Sequence, residues 1–128
     1  MYHFNMTLSD DGLLGHVEVR IIIKEDGFQV RALSPINVPS DKRDEMAIFL
    51  TYINYQFRSG NFEMDYRDGE VAFKMDQFCG DQMPGPDVIE RAIYVPIAMF
   101  DKYAQSMVSI MVGMQSGKSA AENLKDDD

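Results

Sequence analysis

The dipeptide Asp-Gly occurs at Asp11-Gly12, Asp26-Gly27 and Asp68-Gly69, and each time it separates two runs in which apolar and polar residues alternate. A period of two marks a strand with one dry and one wet face, and Asp-Gly between two such runs is the strongest short-range indication of a hairpin. A chain written this way is committed to antiparallel pairing. In residues 2–8, Tyr2, Phe4, Met6 and Leu8 share one face while His3, Asn5 and Thr7 share the other. In 16–23 the inward set is Val17, Val19, Ile21 and Ile23, and in 28–32 it is Phe28, Val30 and Ala32. Phe62, Met64 and Tyr66 then alternate with Glu63, Asp65 and Arg67, and Val71, Phe73 and Met75 with Ala72, Lys74 and Asp76. A meander of three strands followed by a hairpin of two is expected, with one dry face and one wet face.

The segments between and after these strands carry the helical period. In "PSDKRDEMAIFLTYINYQFRSG", residues 39–60, Met46, Phe49, Leu50, Ile53 and Phe57 form one stripe, with Ser40 as the expected N-cap and Gly60 as the stop. After the breaker "PGPD", a short helix is expected over 87–94, begun by Asp87. Pro96 is expected to open a second one running to about Val112, with Phe100, Tyr103, Ala104, Met107, Ile110, Met111 and Met114 on its dry face. From Gln115 onward apolar residues are few, so 115–128 is expected to fray as a polar tail beside a single domain of 1–114. The fold class is α+β: an antiparallel sheet of about five strands with helices packed on one face.

Charge and composition exclude several functions. A net charge of −9 repels phosphate backbones and anionic headgroups, which argues against nucleic acid and membrane surfaces as partners. No apolar run approaches the ~20 residues that cross a bilayer. The N-terminal residues lack the basic start and apolar stretch of a secretory leader, and one cysteine permits no internal disulfide, so a cytoplasmic address is the expectation.

The chemical motifs dissolve under inspection. "GNFEMDYRDGEVAFKM", residues 60–75, sets acids around Asp68-Gly69, but a calcium loop needs regularly spaced oxygens closed by a distal bidentate Glu, and the turn reading suffices. "SGKS", residues 116–119, follows a helix where a phosphate-binding loop follows a strand, and Gly113 stands one residue too close. Cys79 has no signature linking it to His3 or His16 as nucleophile and base, and the three lack metal-ligand spacing, so Cys79 reads as a small hydrophobe near a strand end. No catalytic residue, metal or cofactor is therefore assigned. The ten methionines suit either flexible core filling or an adaptable binding surface. Ile48, Tyr52 and Tyr55, at i, i+4 and i+7, form a second apolar stripe opposite the core stripe of the central helix, covered either by another helix of the chain or by a partner.

Residues 50–113 resemble the YbjN-like family of small bacterial proteins. The resemblance is carried by Asn54 at a helix end, Gly60, the strand Phe62 to Asp65, the turn Asp68 to Glu70, the helix segment Phe100 to Tyr103, and the closing Gly113. It implies a fold like that of type III secretion chaperones, in which helices pack on a twisted antiparallel sheet and two copies commonly associate. It implies no catalytic residues. The expected function is a non-enzymatic protein-binding module, chaperone-like or regulatory in sensory or stress signalling, with an unidentified protein partner and a homodimer through Ile48, Tyr52 and Tyr55. The alternative is a small-molecule binder or enzyme whose site assembles from dispersed residues.

Overall fold

The computed structural model describes residues 2–9 and 12–124. The alternating runs become β1 (Tyr2–Ser9), β2 (His16–Lys24), β3 (Gly27–Leu33), β4 (Asn61–Asp65) and β5 (Glu70–Phe78), joined in one antiparallel sheet of order β1-β2-β3-β5-β4. The helices are α1 (Arg43–Asn54), preceded by a single 3-10 turn at Ser40–Lys42, then α2 (Pro86–Met111) and α3 (Gly117–Leu124). The protein is thus α+β. Cross-strand partners in an antiparallel pair point to the same face, so the register carries the dry face across the sheet from Val19 through Ala32 and Phe73 to Phe62. Those four side chains are fully buried under the helices. On the wet face Arg31 and Lys74 both reach Glu63, at 2.8 and 3.2 Å.

The Asp-Gly pairs mark hairpins, but they place their glycines differently. Lys24 pairs with Gly27, so Glu25-Asp26 is the turn and Gly27 already belongs to β3, where a Cβ would lie 2.1 Å from the Gln77 carbonyl oxygen. Gly69, by contrast, occupies a left-handed turn position, at φ +79°, within the four-residue loop between Asp65 and Glu70. Asp11 lies outside the described residues.

Three helix expectations are corrected. Ser40 does not cap α1; it begins the 3-10 turn, and Lys42 stands at the cap position of α1. The expected two helices are one, α2 (Pro86–Met111), and Pro96 lies inside it. A mid-helix proline costs about 3 kcal/mol. Here Ala92, Pro96, Phe100, Tyr103, Ala104, Met107 and Ile110 form one unbroken buried stripe on both sides of the ring, and that burial outweighs the lost backbone bond.

The third correction concerns the tail: 117–124 is a helix rather than a frayed end, while 125–128 lie outside the described residues. It forms because small residues allow a close approach. Gly117, Ala120 and Ala121 are buried against α1, and the Gly117 N–H donates to Glu45 Oε1 at 2.8 Å. Ser116 starts the helix, its hydroxyl accepting from the Ser119 N–H at 3.1 Å. A Cβ on Gly117 would sit 2.0 Å from the Glu45 carbonyl oxygen. Gly117→Ala is therefore expected to lower stability by about 1–3 kcal/mol in denaturant unfolding, although alanine is the better helix former. Lys118→Ala, which removes only an exposed 4.0 Å ion pair to Glu122, should leave the midpoint within about 0.5 kcal/mol.

Candidate protein-interaction surface

The helices do not cover the sheet evenly. α2 lies over β3 and β5 and α1 against β4, so the dry face of β1 and the far end of β2 have no helix above them. Tyr2 is 71% and Phe4 52% exposed, although they share a face with Ile23 and Ile21 opposite. The expected inward set of β1 is thus turned toward the core side and left in water; only Leu8 packs against the core.

Where this bare strip meets the start of α2, a groove of about 410 Å³ opens. Its lining includes Ile21, Ile23 and Phe28 from the sheet, Cys79 and Met83 from the segment after β5, and Ile89 from α2. That segment is tied to the β2–β3 turn, because the Cys79 and Gly80 N–H groups both donate to the Asp26 carbonyl, at 2.7 and 3.0 Å. Met83, 90% exposed, stands at the side as a flexible and polarisable wall. Lys24, Glu25 and Asp81 are the charged members of the lining. Cys79 sits in this wall half-buried, its thiol 3.9 Å from the Gln77 carbonyl. The groove can hold apolar side chains.

Two other recesses are polar. One, of about 400 Å³ at the β4–β5 end of the wet face, is lined by Arg31, Glu63, Asp65, Arg67 and Glu70, whose charges largely neutralise one another through the Arg31–Glu63 and Arg67–Asp65 pairs. The other, of about 260 Å³, has exposed Arg58, Arg91 and Lys102 around Phe57 and Tyr103. Among the described residues no group of three or more His, Cys, Asp or Glu could hold a metal ion. No helix among them is long and apolar enough to cross a membrane.

Asp65 and Asp68 of the 60–75 segment serve the turn. Asp65 Oδ1 accepts from the Arg67 N–H at 2.9 Å and from its Nε at 3.0 Å, and Asp68 Oδ1 accepts from the Glu70 N–H at 2.9 Å. The Arg67 side-chain and backbone bonds hold the Asp65 carboxyl at about 2, below its ordinary 3.8, and Asp65 in turn raises Arg67. Tyr66 is raised first by partial loss of solvent and then by Asp44. A depressed carboxylate stabilises the fold above its unfolded value and loses that contribution as pH falls. For Asp65 the loss runs from 3.8 down through about 2. Carboxyl carbon chemical shifts should therefore give Asp65 a midpoint near 2, and Arg67→Ala should move it back toward 3.8.

Ile48, Tyr52 and Tyr55 do lie together on an exposed flank of α1, Tyr52 at 43% and Tyr55, just past the helix end, at 93% exposure. No helix among the described residues covers them. Tyr52→Glu should accordingly change stability by no more than about 0.5–1 kcal/mol, measured by denaturant unfolding. What the sequence reading missed is the groove: its walls come from four separate segments, and the only local signal was Met83 beside the Pro-Gly break. No family model, curated protein or solved structure matches this chain.

Proposed function

We propose that this chain is a non-enzymatic protein-binding module, chaperone-like or regulatory, that receives an extended apolar segment of another polypeptide in the groove beside Ile23. The observation that carries the reading is the groove itself, where the aliphatic, aromatic and thioether side chains of Ile21, Ile23, Phe28, Met83 and Ile89 meet from separate segments. It opens onto a bare sheet face, which suits a chain longer than the groove. The protein's charge of −9 selects segments with basic flanks. The resemblance to YbjN-like proteins, and through them to type III secretion chaperones, belongs to this reading, and helices stacked on one face of a five-stranded antiparallel sheet support it.

Reduced, unfolded lysozyme, a basic client whose aggregation is followed by light scattering, tests the proposal. The wild type should slow aggregation at near-stoichiometric ratio, and Ile23→Asp should lose most of that protection with circular dichroism unchanged. Because the variant is more acidic, attraction by charge alone would leave protection intact or increase it. Equal protection by the variant, or none from the wild type, would remove the groove reading.

A further inference from the structure

The two edges of the sheet are treated in opposite ways. At the β4 edge, Asn54 at the end of α1 donates from Nδ2 to the Phe62 carbonyl and accepts the Phe62 N–H on Oδ1, each at 2.9 Å. A side-chain amide thus occupies the outward backbone groups of Phe62, which a sixth strand would need. Arg43 closes the adjoining turn, donating to the Val38 and Tyr66 carbonyls at 3.0 and 3.1 Å. At the other edge stands β1, eight residues long, and nothing among the described residues pairs with its outer side.

Natural edge strands are usually protected by charge, proline, a bulge or brevity. β1 has none of these. Its register with β2 is continuous from Tyr2 to Ser9, and it alone of the five strands carries no Asp, Glu, Lys or Arg. In a chain of net charge −9, the uncharged strand is the place where two copies can approach with no carboxylates opposed.

Backbone alternation shows which groups are offered. Lys24 and Gly27 close a two-residue turn and so form a hydrogen-bonded pair. Counting along the ladders, β2 bonds to β1 at Val17, Val19, Ile21 and Ile23, hence through Tyr2, Phe4, Met6 and Leu8. His3, Asn5 and Thr7 then direct their N–H and C=O groups outward. The same count, carried through β3 and β5, puts the Phe62 groups on the outer side of β4, where Asn54 binds them.

We propose that a second copy of this chain occupies the β1 edge, antiparallel about a two-fold axis through Asn5, to give one continuous ten-stranded sheet. This uses the strand edge and not the groove, so it stands apart from the function proposed above. On this axis Asn5 meets Asn5 of the second copy as a hydrogen-bonded pair and His3 meets Thr7. Phe4 meets Met6 and Tyr2 meets Leu8, so the outward backbone groups and the apolar face match at once. The contact is isologous and closed. With the β4 edge sealed by Asn54, growth stops at two copies instead of continuing as a fibre. An edge of this length buries less than ~1,200 Å², the class of weak, concentration-dependent contacts.

Sedimentation of the full chain over a concentration series, with two kinds of variant, tests this. Asn5→Pro removes an outward N–H and no bond to β2, a position where an edge strand accepts proline. It should keep the circular dichroism and raise the dimer dissociation constant by about tenfold or more, equivalent to ~1.4 kcal/mol. In a Cys79→Ser background, Asn5→Cys should oxidise to a covalent dimer, since Cα atoms of a hydrogen-bonded pair lie ~5.5 Å apart, within disulfide reach. Thr7→Cys should not, because its copies lie more than ~12 Å apart. A wild type that stays monomeric at the highest concentration would overturn the proposal. So would a dimer that survives Asn5→Pro, or one that cross-links through Thr7→Cys and not Asn5→Cys.

Discussion

Phe62 is the residue on which the rest of the structure depends. Its ring meets Phe73 at 4.9 Å, Phe100 at 5.2 Å, Phe57 at 5.9 Å and Tyr103 at 5.9 Å between centroids, so one side chain joins both strands of the β4–β5 hairpin, the segment after α1 and the middle of α2. Three of these four contacts are edge-to-face, the geometry that adds to simple area burial. Its backbone is held on the same spot by both ends of the Asn54 amide. Side-chain packing and edge sealing therefore coincide at one position. Gly60 allows the chain to arrive there, since at φ +76° it turns tightly and a Cβ would lie 2.6 Å from both Met75 Sδ and the Phe73 ring.

Concentrating the aromatic core at this end leaves the other end thin. α1 and α2 follow the aromatic cluster toward β3, β4 and β5, and α3 then packs on α1 and α2, so none of the three helices is spent on β1. The result is a sheet with a sealed, heavily packed edge and an open, uncharged one. The groove beside Ile23 sits on the boundary between the two regions, where the segment from Cys79 to Met83 bends over the sheet before α2 begins. Its apolar lining and the bare face of β1 have a single origin: dry-side residues outnumber the helices available to cover them.

Local chemistry carried the strands. A period of two repeated five times, with Asp-Gly between runs, left no competing pattern, and the core stripe of α1 from Met46 to Ile53 was equally plain. Pro96 misled because local propensity treats proline as a boundary, whereas the stripe from Ala92 to Ile110 continues through it. α3 was illegible for a different reason. Its docking relies on the absence of side chains at Gly117, Ala120 and Ala121, and a small-residue face has almost no hydropathy to detect.

The sequence by itself determined the α+β class and the inward faces of the strands, because each follows from residues within a few positions of one another. Only the tertiary structure decided which apolar residues stay wet. Tyr2, Phe4 and Met6 have the same alternation as Val17, Val19 and Ile21, and no local rule separates the two sets. The difference arises from strand order: β2 is interior and β1 is an edge, so Val17 and Val19 of β2 are buried in the core while Tyr2, Phe4 and Met6 of β1 stay in water. Burial belongs to the packing of elements distant in the chain, so neither the open edge nor the groove existed as a feature until those elements were brought together.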